Sequence, residues 1–233
     1  MRVVRGRAST READRRWTAD LLERTADTGE AAVRVWTPHR QIAFGRRDVR
    51  SDGFEEASRI ARSYGFLPVE RRVGGRAVAY TGRTVAFAVA IPIADMRSGM
   101  THRYTVVSEA IMDALDVLGA DVEEGEPDGS YCPGSHSIRA VDGGKVGGIA
   151  QRVRRDASLV AGCLTVVRSD VDELVEVLEP LYDALEVPFE RDSVGCVFDV
   201  GGPDDPGRVT QALESALAAG PWTDGSTTVE SVR

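Results

Sequence analysis

The residues Thr84-Val85-Ala86-Phe87-Ala88-Val89-Ala90-Ile91 form a nearly continuous apolar run, without the polar residue at every second position that a half-solvated strand carries. Such a run reads as a strand buried on both faces, so the sheet that holds it needs further elements packed above and below. The next segment offers one. Tyr104, Val107, Ile111, Leu115 and Leu118 recur at helical spacing, with Thr101 placed to cap the helix and Gly119 to end it.

Further helices are predicted on the same grounds. One spans about Ser9–Ala26, where Ser9-Thr10-Arg11-Glu12 has capping-box spacing and Trp17, Leu21 and Leu22 follow at helical intervals. A second starts at Asp52 and Glu55 and runs to about Tyr64, stopped by Gly65; Leu174–Leu185 and Pro206–Ala219 close the chain, with Asp205 and Pro206 in N-cap and N1 positions. Strands are predicted over Ala31–Trp36 and Gln41–Phe44, joined by a Thr37-Pro38 turn, and over Leu67–Arg71 and Ala77–Tyr80. His136–Val141, Lys145–Val153 and Ser158–Val167 read as a meander, separated by Asp142-Gly143-Gly144 and Arg154-Arg155-Asp156. With no internal repeat and no flexible linker, the chain reads as one domain over residues 1–233, with a core from about 2 to 185 and a helical tail from about 186 to 233. The class is α+β, a mixed β-sheet with helices packed on its faces.

Charge narrows the partners. The balance of 29 basic and 37 acidic residues gives −8, which disfavours diffuse attraction to nucleic acid or anionic membranes. Met1 is followed by arginines and polar residues, and no apolar run reaches the length of a membrane span, so a cytoplasmic protein is expected. Cys132, Cys163 and Cys196 show no CxxC spacing, and His39, His102 and His136 show no metal spacing. Neither a disulfide framework nor a metal site is expected.

Three strings carry chemistry. In Arg71-Arg72-Val73-Gly74-Gly75-Arg76-Ala77-Val78 a glycine pair stands beside guanidinium groups, which suits a backbone cradle for an anion or carbonyl oxygen but equally a plain hairpin turn with surface arginines. Cys132 lies in Ser130-Tyr131-Cys132-Pro133-Gly134, too rich in turn formers for a strand core, so its thiol reads as an accessible nucleophile or an inert loop cysteine; Cys163 and Cys196 sit in apolar runs and read as buried. Lys145 opens a strand whose Gly147 and Gly148 leave room for a ligand lying across it. A lysine there suits oxygen binding, general-base work or mere solvation.

In order and spacing, Arg72 to Val78, Gly129-Ser130-Tyr131-Cys132-Pro133-Gly134 and Gly144-Lys145-Val146-Gly147-Gly148-Ile149-Ala150-Gln151-Arg152 together resemble the biotin/lipoate A/B protein ligase superfamily. Trp36-Thr37-Pro38 followed by Phe44-Gly45-Arg46 extends the likeness, which covers roughly Arg2 to Leu185. The chain departs from the lipoate-ligase pattern RRxxGGGxVxHD: Arg76 replaces the third glycine and Tyr80 stands where the histidine falls. The Cys132-Pro133-Gly134 element is similar instead to the cysteine-dependent octanoyl and lipoyl amidotransferases.

The resemblance implies a ligase-like catalytic fold and transfer of an octanoyl or lipoyl group through a thioester on Cys132 to a lysine of a lipoyl carrier. Lys145 is implied as the carbonyl-binding or acid/base partner, and Arg71, Arg72, Gly74, Gly75, Gly147 and Gly148 as substrate-binding. The valine- and alanine-rich strands Val78–Ile91 and Ile149–Ala150 are expected to line the acyl slot, and Arg152, Arg154 and Arg155 to meet the acceptor. The implied partners are a lipoyl domain of a 2-oxoacid dehydrogenase subunit or a glycine cleavage H protein, with an acyl carrier protein as a further donor. No cofactor is needed on that route. Two alternatives stay open: an ATP- and Mg-dependent lipoate-protein ligase acting through an acyl-adenylate, and a non-catalytic carrier-binding protein of the same fold.

Overall fold

The computed structural model describes residues 1–71, 75–223 and 225–232. Its elements are β1 (Arg2–Arg5), α1 (Arg11–Thr28), β2 (Ala32–Trp36), β3 (Gln41–Phe44), α2 (Arg46–Val49), α3 (Phe54–Ser63), β4 (Leu67–Glu70), β5 (Val78–Tyr80), β6 (Val85–Pro92) and α4 (Met100–Val117). They continue with β7 (Val122–Glu124), β8 (Ser137–Ala140), β9 (Lys145–Arg154), β10 (Ala157–Leu164), α5 (Arg168–Ala184), α6 (Pro206–Ala218) and β11 (Thr228–Ser231). One mixed sheet has the order β11-β1-β2-β6-β10-β9-β8-β7, and a smaller sheet has the order β4-β3-β5. No described helix is long and apolar enough to cross a membrane.

The apolar run is β6, and it lies between β2 and β10, antiparallel to both. Val85, Phe87 and Val89 share a core with Val107, Ile111 and Leu115 of α4 and with Val209, Leu213 and Leu217 of α6. Ala88 and Ala90 join a second core with Leu21 of α1, their small side chains letting that helix lie close to the strand. Ala86 belongs to a third core, with Ala57 and Ala61 of α3, Leu174 and Leu178 of α5, and Ile42 and Phe44 of β3. Burying each larger side chain is worth roughly 1.5–3 kcal/mol, so the double-sided burial of β6 anchors the three cores to one strand.

The structure departs from the sequence expectations in several places. β2 and β3 are consecutive but lie in different sheets, because Ile42 and Phe44 bury against α3 and α5, away from the large sheet. Thr10, not Ser9, caps α1, its hydroxyl accepting the Ala13 N–H at 3.2 Å. Gly99 precedes α4, so Thr101 falls inside the helix, and Gly53 rather than Asp52 precedes α3. Helix α5 starts at Arg168, well before Leu174, and its first turn is tied down where the buried Asp170 carboxylate accepts hydrogen bonds from Arg83 and from the Thr81 hydroxyl at 2.7 Å. The segment after residue 185 is more than a helical appendage: α6 fills the main core, and β11 pairs in parallel with β1. Within the segment expected to line the acyl slot, Val85 to Ala90 of β6 are all buried. The meander is present, β8-β9-β10 pairing in antiparallel succession with an irregularity between Ile138 and Arg139.

Candidate active site

The β7–β8 loop carries Cys132 across the mouth of the small sheet, and its backbone is held in an unusual shape. Cys132 has φ of +44°, a left-handed conformation that costs a residue with a side chain about 1 kcal/mol or more. Three contacts hold it there. The Cys132 N–H donates to the Tyr182 hydroxyl of α5 at 2.7 Å, and that hydroxyl donates to the Ala77 carbonyl at 2.9 Å. From below, Lys145 Nζ donates to the carbonyls of Tyr131 at 3.0 Å and Cys132 at 2.9 Å.

The lysine is 2% exposed, and its remaining bond goes to Glu126, whose two carboxylate oxygens each lie 3.1 Å from Nζ. Glu126 also accepts from the hydroxyls of Ser130 and Ser137 and from the Gly134 N–H at 3.0 Å. An ammonium has three N–H bonds, and here five oxygens of Glu126, Ser130, Tyr131 and Cys132 surround it. The group acts on the loop backbone; no hydrogen bond joins it to the thiol.

Cys132 Sγ instead accepts from Arg71 Nη2 at 3.2 Å and from the Arg76 N–H at 3.3 Å. Arg71 is fixed in turn by donating to the Arg76 carbonyl at 2.6 Å, and the Arg76 guanidinium donates to the buried Asp48 at 3.1 Å. Gly75 has φ of +88°, and a Cβ there would come within 2.8 Å of both Sγ and Arg71 Nη2, so glycine is required on both counts. Burial lowers the Arg71 pKa, but its electrostatic and hydrogen-bond interactions with Cys132, with contributions from Tyr80 and Cys163, outweigh it and raise the value overall. Cys132 is the half-exposed cysteine, whereas Cys163 and Cys196 are buried. Burial pushes the Cys163 thiol up to about 11 and the Cys196 thiol up to about 12, which keeps both protonated near neutral pH.

The glycine turn and the start of the Lys145 strand, distant in sequence, thus meet at Cys132, one at its sulfur and the other at its carbonyl. Arg72 and Gly74 lie outside the described residues. Gly147 is buried in the β9–β10 pairing, where a side chain would strike the Cys163 carbonyl and Leu164, while a Cβ at Gly148 would touch Lys145 Cε at an ordinary 3.4 Å. These glycines therefore make room for the protein's own backbone and for the lysine stem. Arg152, Arg154 and Arg155 stand at the far end of β9, seven to ten residues from Lys145 and so about 23–33 Å along the strand. Arg154 pairs with Glu23 at 3.2 Å, and Arg155 with Asp156 at 3.6 Å. His136 bonds Glu124 at 2.8 Å and stacks on Tyr104, away from the thiol.

Glu126, Tyr182 and Asp48 have no signal in the local strings: Glu126 reads as one acid in an acidic loop, Tyr182 as part of an apolar helix face, and Asp48 as a surface charge. What singles out Glu126 is its pairing across the fold with Lys145, visible only once β9 runs beneath the loop.

A family model of the lipoyl protein ligase A/B catalytic domain matches residues 16–203. An octanoyl-[GcvH]:protein N-octanoyltransferase of Exiguobacterium sibiricum is 31% identical over 136 residues, which is 57% of this chain and 48% of the relative. The enzyme of the same description from an Exiguobacterium species is 30% identical over 169 residues, 71% of this chain and 58% of the relative. The chain therefore spans about half to three-fifths of the length of these curated relatives. Among solved structures, lipoate-protein ligase A bound with ATP superposes with a TM-score of 0.76 at 19% identity, over 98% of this chain and 88% of that one, which shows a shared fold. With the family match covering most of the chain, this protein belongs to the lipoyl protein ligase A/B catalytic domain family.

Proposed function

We propose that the chain is an acyltransferase that moves an octanoyl or lipoyl group, through a thioester on Cys132, onto a lysine of a lipoyl carrier protein. The observation that carries this reading is the setting of Cys132 Sγ, half-exposed and in contact with the Arg71 guanidinium at 3.2 Å and the Arg76 N–H at 3.3 Å. The sulfur that would attack carbonyl carbon is thus reachable from outside and already has a cation and a backbone donor beside it. The relatives' names add support, since they describe transfer of an octanoyl group from GcvH to a protein.

In the first step the Cys132 thiolate attacks the carbonyl carbon of the acyl group on its donor. A C–S bond forms, and the bond to the donor nitrogen or sulfur breaks after that atom takes a proton. In the second step the neutral amine of the acceptor lysine attacks the thioester, an amide bond forms, and the thiolate leaves while the amine gives up a proton. Each tetrahedral intermediate puts negative charge on the former carbonyl oxygen beside Sγ. Among the described residues, Arg71 Nη2 and the Arg76 N–H are the donors beside that position, since the Cys132 N–H is taken by Tyr182 and the Gly134 N–H by Glu126. Lys145 is a positioning residue on this reading: it holds the carbonyls of Tyr131 and Cys132 and thereby the direction of the sulfur. The acceptors are a glycine cleavage H protein or a lipoyl domain, and acylated H protein or acyl carrier protein serves as donor.

The ligase alternative requires Lys145 to hold an acyl-adenylate, yet its ammonium is surrounded by oxygens beneath the Cys132 loop. Intact-mass analysis separates the two. Incubation with an octanoylated H protein, without ATP, is expected to add one octanoyl mass to the chain and then to the acceptor, and Cys132→Ser is expected to lose both. ATP-dependent lipoylation that survives Cys132→Ser would establish the ligase instead.

A further inference from the structure

Beside the nucleophile the surface opens into a cleft of about 500 Å³, lined by Arg15 of α1, Arg46 and Arg50 at the two ends of α2, and Arg71 after β4. Its floor is the apolar edge formed by Val49, Pro68 and Val69, and Glu70 is the single carboxylate among the lining residues. Four guanidinium groups thus face one acid in a chain whose net charge is −8. Arg2, Arg5, Arg34, Arg40 and Arg83, by contrast, each sit on a carboxylate. Arg15, Arg46 and Arg50 are exposed and have no ion-pair partner among the described residues.

We propose that this cleft, and not the distant Arg152–Arg155 hairpin, is the docking seat for an acidic protein surface flanking the acyl-bearing lysine of the carrier. The inference rests on the transfer reading and adds the place where the carrier body sits. Arg71 belongs both to the cleft and to the thiol, so a carrier whose lysine-borne acyl carbonyl reaches Sγ has its own body no farther away than a four-carbon stem allows. The hairpin lies about 23–33 Å from Lys145 along β9, beyond that reach. Three features favour a protein surface over a small anion. The guanidinium groups come from three separate chain segments, the floor between them is apolar, and β4 is the terminal strand of its sheet with Leu67 exposed beside the cleft. Exposed arginines around an apolar patch are what a rim and centre of a transient interface require.

The experiment compares wild type, Arg46→Glu/Arg50→Glu, Arg154→Glu/Arg155→Glu and Arg59→Glu, the last an exposed control on α3. Two readouts are taken over a series of ionic strengths: kcat/KM for acyl transfer between purified H protein and a lipoyl domain, and acylation of Cys132 by a small octanoyl thioester. The Arg46/Arg50 reversal is expected to lower carrier transfer roughly tenfold or more at low salt and to flatten its salt dependence, while acylation by the small thioester falls much less. Unchanged carrier transfer in that variant, or an equal loss with both donors, overturns the docking seat. So does a larger effect of the Arg154/Arg155 pair, or inorganic phosphate at low millimolar concentration abolishing the difference between wild type and variant, which marks a small-anion site. A wild type that binds carrier through the cleft but never acylates Cys132 would instead defeat the transfer reading and leave the docking seat standing.

Discussion

Replacing Lys145 by methionine keeps the stem and removes the ammonium, which makes it the sharpest probe of how the site is held together. The wild-type ammonium is 2% exposed and lies within 3.1 Å of Glu126 Oε1 and Oε2 and of the carbonyls of Tyr131 and Cys132. The variant leaves a partly buried carboxylate without its counter-ion and two carbonyls without a donor. Breaking a buried ion pair from one side costs about 3–5 kcal/mol, a large share of the roughly 5–15 kcal/mol that stabilises a typical domain. Changing Glu126 to glutamine in the same chain removes the uncompensated charge, so Lys145→Met/Glu126→Gln should lose less than the two single changes together, by about 1–3 kcal/mol. Urea denaturation followed by far-UV circular dichroism gives all four stabilities from midpoints at a common slope. Thioester formation on Cys132 should fall in both Lys145 variants, because the loop carbonyls lose their anchor even when stability returns. A Lys145→Met loss below about 1 kcal/mol, or strictly additive effects, would refute the account of Lys145 as the pin beneath the loop.

Three further outcomes follow from the same geometry. Arg71→Ala should slow acylation of Cys132 by about 10²-fold, the usual loss for one donor to a developing oxyanion, and Arg71→Lys should recover only part; stopped-flow acylation with a small thioester reads both. Iodoacetamide at pH 8 should label Cys132 alone in the native chain, since a thiol pushed up to about 11, as in Cys163, is only on the order of 10⁻³ ionised there; peptide mapping that finds Cys163 or Cys196 modified before unfolding contradicts this. Both buried thiols have folded pKa values raised above an ordinary 9.0, so their contribution is fully present below about pH 9 and is lost as pH rises toward 11–12. Thermal melts should show that decline in wild type and a weaker one in Cys196→Ala; a stability flat from pH 8 to 11 goes against it.

Much of the architecture was legible because period and punctuation agree along the chain. The run from Thr84 to Ile91 announced a strand covered on both sides, and the turns at Asp142-Gly143-Gly144 and Arg154-Arg155-Asp156 marked the meander. What stayed hidden depends on partners distant in sequence. β1 and β11 are four-residue segments that become strands by pairing, β1 between β2 and β11 and β11 at the edge. The N-terminal turn of α5 exists where Asp170 meets Arg83 and Thr81, a contact no periodicity encodes. At the site, the string around Cys132 and the string at Lys145 were both readable, and so was their separation from the buried cysteines. Their division of labour was not: Lys145 holds carbonyls and Arg71 touches sulfur, and only the path of β9 beneath the loop decides which cation reaches which atom.

The pairing of β1 with β11 also bears on the order in which the molecule comes together. That contact joins residues more than 220 positions apart, from Arg2↔Thr228 to Arg5↔Ser231, so its closure pays the loop entropy of nearly the whole chain. The scaffold under the nucleophile is of the opposite kind: β8, β9 and β10 are joined by tight turns and bring Lys145 beneath residues only 13 and 14 positions earlier. The meander beneath Cys132 can therefore assemble from near neighbours while the far edge of the sheet is still open. Amide exchange should fray from the β11 side, with the strands beneath Cys132 among the last to open.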